Sequence, residues 1–250
     1  MNPHVRKTRI GIMLMATALS AMLAACGPVV RSEQQREEMT IEYLEEKYNE
    51  EFVVVNARSQ NIGEEWFYAK AYAKSHPEFL FNATITADGS RGSDEYISRI
   101  VCNKIAARVS SNMNKIPGLF DVYAFRIGSI DQGCKDTEIS IEDYVRRRKG
   151  NQKYRIEVFF VPDQPTDATR IYDGLKEALR NMEMLEGNLV LFLTEEDRLK
   201  EVQEWMYDKG EKGDTSLSIK ADMFELIIPY EKGQIGMSES EFTEAVKEIF

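Results

Sequence analysis

The chain has 250 residues, 43% of them hydrophobic and 30% charged, with 32 Lys and Arg against 42 Asp and Glu and a formal charge of −10. A chain of that length and apolar content can bury a sizeable core, which excludes wholesale disorder. The surplus of carboxylates excludes nucleic acid and anionic membrane surfaces as partners of the body as a whole.

Arg6, Lys7 and Arg9 open the chain, residues 10–22 carry no charge, and small residues lead into Cys26. This is the layout of a secretory signal, and the run is shorter than the roughly 20 apolar residues of a bilayer-spanning helix. Leu23-Ala24-Ala25-Cys26 resembles the lipobox of bacterial lipoproteins. That resemblance implies cleavage after residue 25, acylation of the Cys26 thiol and anchoring through it, since two or more acyl chains hold a protein stably where one does not. Removal of residues 1–25 leaves 29 cations against 42 carboxylates, a formal charge of −13.

Residues 26–36 are polar and coreless and read as a tether. Ile41, Leu44 and Tyr48 then recur with helical spacing, Asn49 is a C-terminal cap, and the run from Phe52 to Val55 is a strand. Residues 66–74 and 79–86 predict a hairpin with a four-residue turn at 75–78. Ser93 is a candidate N-cap, with Asp94 and Glu95 in the first turn of a helix whose apolar stripe is Ile97, Val101, Ile105, Val109 and Met113. Strands are expected at 120–127, 154–160 and 188–193, the last apolar throughout as in a central position. Helices are expected at 141–149, along Ile171, Leu175, Leu179 and Met182, from about 195 along Leu199, Val202 and Met206, and after Ser238. Residues 217–219 and 223–229 suggest a second hairpin.

Helices and strands interleave irregularly, so the fold class is α+β, with antiparallel or mixed sheets and helices packed on one face. The elements leave room for two halves of similar size, 37–130 and 138–250. Thr40-Ile41-Glu42-Tyr43 is echoed weakly by Ser140-Ile141-Glu142-Asp143-Tyr144, each before a strand.

Several chemistries lack their residues. The mature chain has one histidine, His76, read as a surface turn residue, and no G-x-S-x-G, S-x-x-K, H-E-x-x-H, C-x-x-C or G-x-x-x-x-G-K motif. No metal site and no cofactor is expected. Cys102 and Cys134 are either a disulfide, which export permits, or two buried thiols. Glu64-Glu65, Asp136 with Glu138, and Glu142-Asp143 are the carboxylate pairs from which glycoside chemistry could draw, though spacing selects none of them. Arg146, Arg147, Arg148 and Lys149 form a basic contact patch or balance a helix C-terminus and nearby acids. Trp66, Tyr68 and Tyr72 alternate onto one strand face and Phe67 onto the other, so that one aromatic set either lines a glycan or peptide groove or packs in the core.

Residues 39–55, with Tyr43-Leu44-Glu45-Glu46-Lys47-Tyr48 followed by Glu50-Glu51-Phe52 and three valines, resemble the opening of uncharacterised lipoproteins of Gram-positive gut bacteria. The resemblance implies the outer face of the cytoplasmic membrane and no particular activity. The favoured reading is a lipid-anchored cell-envelope protein, a non-catalytic binding or interaction module. Its partners are the membrane through the anchor and an envelope protein or cell-wall polymer. The alternatives are an envelope glycosidase-like enzyme using paired carboxylates and a solute-binding component of a transporter, the latter disfavoured by length.

Overall fold

A computed structural model describes residues 31–59, 65–114, 116, 118–127, 133–147, 153–161, 168–180, 182, 185–193 and 224–247. The signal segment, Cys26, Arg148, Lys149, Glu64, the helix expected from about 195 and the strand expected at 217–219 lie outside these residues.

The first half opens with helix α1 (Glu33–Tyr48). Ser32 starts it with a capping box: its hydroxyl accepts from the Gln35 N–H, and the Gln35 side chain accepts from the Ser32 N–H. The last residues of the expected tether are therefore the first turn of this helix. Asn49 ends it in the left-handed conformation, as expected, returning its N–H to the Glu45 carbonyl. Strands β1 (Phe52–Arg58), β2 (Trp66–Ala73), β3 (His76–Thr86) and β4 (Gly92–Asp94) follow as an antiparallel sheet in sequential order.

The β2–β3 turn is tighter than predicted. Ala73 pairs with His76 across Lys74 and Ser75, and the register shifts before Ala71 pairs with Phe81. Pro77, which has no N–H to give a ladder, sits in that irregular stretch.

Helix α2 (Tyr96–Met113) is the longest of the described helices and joins the two sheets, packing on β3, on β5 (Leu119–Ile127) and on α4 (Ala168–Arg180). Its stripe of Ile97, Val101, Ile105, Val109 and Met113 is buried along its whole length. After the short α3 (Ile141–Arg147) come β6 (Lys153–Phe160), α4, β7 (Glu186–Leu193), β8 (Phe224–Glu231), β9 (Gln234–Ile235) and α5 (Glu239–Lys247). The second sheet runs β5-β6-β7-β8-β9. Only β6 and β7 are parallel, and α4 makes the crossover that a parallel pair requires. The class is α+β.

One contiguous apolar core runs from Leu44, Phe52 and Phe81 through α2 to Leu191 and Phe242, so the two sheets share it. The four-stranded antiparallel sheet and the five-stranded mixed one differ in topology, which leaves the short sequence echo without a structural counterpart beyond a helix before a strand. Strand β7 is central, and Val190 and Phe192 are as buried as Leu189 and Leu191 on its opposite face.

Candidate functional site

The β3–β4 turn, β2 and the outer side of α1 enclose an open cleft of about 1160 Å³. Tyr43 and Lys47 form its floor, and both bond to Asp94 behind them. The sequence places Asp94 in the first turn of α2 behind a Ser93 cap, but Ser93 and Asp94 end β4 instead, Asp94 is buried, and α2 starts after Glu95, which makes no side-chain cap. Lys47 Nζ donates to Asp94 Oδ2 at 2.6 Å, and Tyr43 Oη donates to the same oxygen at 3.2 Å. Tyr48 Oη at 2.6 Å and the Tyr96 N–H at 3.0 Å donate to Oδ1. Two helices thereby converge on one carboxylate. Lys47 also donates to Tyr43 Oη at 3.2 Å and lies over the Tyr48 ring at 4.9 Å from its centre.

This arrangement limits what the floor can do. Burial, with the charge of Asp94 second, raises the titration of both Tyr43 and Tyr48 above the ordinary phenol value, so neither supplies a phenolate base. Each oxygen of Asp94 already accepts two hydrogen bonds, so its acceptor capacity is turned to groups of the protein itself. The floor is a structural polar core that fixes α1 against β4.

The walls are different. Tyr43 lies so close to β4 that a side chain on Gly92 would meet its ring at 2.8 Å, which is why glycine stands there. Register places Arg58, Tyr68, Thr84 and Ser93 in one row across the outer face of the first sheet. Trp66 is two residues from Tyr68 on that same face, and the Arg91 guanidinium lies over its ring at 5.7 Å. Phe67 is buried on the inner face, whereas Tyr68 is 47% exposed. The alternation read from the sequence thus resolves into a core residue and an open aromatic wall.

The other candidates fall elsewhere. Cys102 and Cys134 are buried free thiols, so the structure takes the unbridged alternative. Cys134 accepts a 3.5 Å contact from Arg147, and burial pushes the Cys102 thiol up to about 11. Arg146 pairs with Asp143 at 2.7 Å, so the two described members of the basic patch are engaged locally. His76 is exposed at the start of β3, beside Glu78. Of the acid pairs, Asp136 accepts from the Glu138 N–H, Glu142 pairs with Arg108 at 2.6 Å, and Asp143 accepts from the hydroxyl of Ser140, which caps α3; none of these carboxylates lines the cleft. Among the described residues no group of three His, Cys, Asp or Glu could hold a metal, and no helix is long and apolar enough to cross a membrane.

Sequence reasoning missed Tyr43, Lys47, Tyr48, Asp94 and Arg91. The available signal was Lys47 at i+4 from Tyr43, a lone cation in a strongly acidic stretch of α1.

No family model and no curated protein matches the sequence. Among solved structures, the crystal structure of a DUF5037 family protein from Ruminococcus gnavus ATCC 29149 is similar, with a TM-score of 0.59 over 84% of this chain and 98% of that one, at 16% identity. The two chains share a fold. At that identity the likeness shows the architecture of sheets and helices alone.

Proposed function

We propose that this is a lipid-anchored cell-envelope protein whose body is a non-catalytic binding module, with the cleft over β4 as its binding surface. The observation that carries the reading is the pairing of a half-buried Trp66 and an exposed Tyr68 on one face of β2 with Tyr43 and Lys47, which are already bonded to the buried Asp94 behind them. Such a site offers contact area and a polar rim, while its buried acid and the lysine and phenols around it are engaged with one another.

The anchor adds a constraint of reach. From Cys26 to the capping residue Ser32 the chain spans at most about 20 Å, and the cleft residues Met39, Tyr43 and Lys47 are on the helix that follows. A ligand of the cleft would then be met close to the membrane, as an envelope protein or a cell-wall polymer would be.

The test is binding of purified envelope polymer and envelope proteins to the mature chain held on vesicles, compared with Tyr68→Ala. Retention that weakens in the variant supports the reading. Turnover of the polymer, lost on mutating a cleft carboxylate such as Glu42 or Asp88, would replace it with an enzyme.

A further inference from the structure

We infer that the ligand of this cleft is an uncharged or N-acetylated sugar chain, an assignment that rests on the cleft being a binding surface and narrows it to one chemical class. Half-buried Trp66 and exposed Tyr68 lie on the same face of β2, about 7 Å apart along the strand, close enough for one short sugar chain to meet both rings. A pyranose has an apolar C–H face and a hydroxyl edge. Two aromatic rings side by side take up the first, and hydroxyls and charged groups around them take up the second.

The surroundings fit that division. Thr84 and Ser93 stand in the same cross-strand row as Tyr68, and Arg91 reaches over Trp66, so polar groups flank the rings on two sides. The other lining side chains are mostly polar or charged, and Met39 is the one aliphatic-type side chain among them. A peptide bound through its side chains needs apolar pockets for anchors, and one bound through its backbone needs a long free strand edge. The edge here is β4, three residues long.

Charge narrows the class further. Glu42, Glu46 and Asp88 line the cleft against Arg91, Lys135 and the Asp94-paired Lys47. A near-balanced rim on a body of formal charge −13 after residue 25 does not attract a polyanion.

The experiment measures, by calorimetry and by tryptophan fluorescence, binding of the mature chain to four probes. These are the β-1,4-linked tetramer of N-acetylglucosamine, a neutral glucan tetramer, a glycerol phosphate polymer and a mixed decapeptide library. The sugar tetramers are expected to bind, with affinity reduced between about three- and tenfold by Tyr68→Ala and by Trp66→Phe or Trp66→Ala. Tyr68→Ala is expected to leave the unfolding midpoint unchanged, because the ring is half exposed. Peptides binding in a Tyr68-dependent way while sugars do not would overturn the sugar assignment and leave the binding reading standing. Preference for the glycerol phosphate polymer would overturn the argument from charge and with it the assignment. Sugar binding indifferent to Tyr68 and Trp66 would overturn the site, and no binding of any probe would overturn both readings together.

Discussion

Lys47 Nζ and Asp94 Oδ2 meet at 2.6 Å with 6% of one side chain and none of the other open to solvent. A carboxylate and an ammonium removed from water lose several kcal/mol of hydration each, and only their contact together with the hydrogen bonds from Tyr43, Tyr48 and the Tyr96 N–H offsets that loss. Removing one partner is therefore far worse than removing both. Lys47→Met is expected to destabilise the protein by about 3–5 kcal/mol in urea unfolding, and adding Asp94→Asn to recover part of it. A loss below about 1 kcal/mol for the single variant would mean that water reaches the pair.

Both body cysteines are expected to behave as inert buried thiols. In the native protein at pH 8, iodoacetamide should leave Cys102 unlabelled, because burial holds its thiol near 11, above the ordinary value of 9. The folded value lies above the unfolded one, so the stability it represents is complete below pH 9 and is lost as pH rises through 11. Unreduced protein opened in urea should label at both Cys102 and Cys134 by mass spectrometry; finding them bridged would refute the structure at this point.

Asp88, a carboxylate of the cleft rim, has its titration displaced downward. Hydrogen bonding from the Thr86 side chain, then from the Ser90 N–H and hydroxyl, pulls its carboxyl to about 2 from the usual 3.8. A depressed folded value contributes stability above about pH 4 that fades as pH falls towards 2. The Ser90 amide resonance should titrate with a midpoint near 2, and Asp88→Asn should abolish that titration.

Gly187 has φ +151°, and a Cβ there would lie 1.9 Å from the Tyr154 carbonyl oxygen. Backbone cannot yield as a flexible side chain can. Gly187→Ala is expected to cost about 2–4 kcal/mol by forcing β7 away from β6 at the start of their parallel ladder, measured by thermal or urea unfolding.

Cys26→Ser tests the anchor. The variant is expected to lose palmitate labelling and to appear in the soluble fraction or as uncleaved precursor, whereas wild type partitions with membranes. A variant that stays in membranes with its signal removed would show that something other than acylation holds the protein.

Local pattern alone made much of the fold legible. The stripe from Ile97 to Met113, the apolar run 188–193, the Asn49 cap and the helix after Ser238 are each written in a few neighbouring residues, and each takes the predicted form. The alternation of Trp66, Phe67 and Tyr68 likewise separated the two faces of β2 but could not say which was covered, since that depends on what packs against the sheet. The β2–β3 turn was misplaced because Pro77 reads as turn chemistry when its strand neighbours are unknown.

What the sequence by itself determined is whatever depends on residues a few positions apart: most element types, the cap at Asn49, the faces of β2, and the expectation of an acylated Cys26. What only the tertiary structure decided is the partnership of residues distant in the chain. Asp94 is 47 positions from Lys47 and 46 from Tyr48, and as text it is an ordinary acid at a helix start. Only when β4 is laid beside α1 does burial remove its water, and the same packing that leaves it no solvent supplies the donors that replace it.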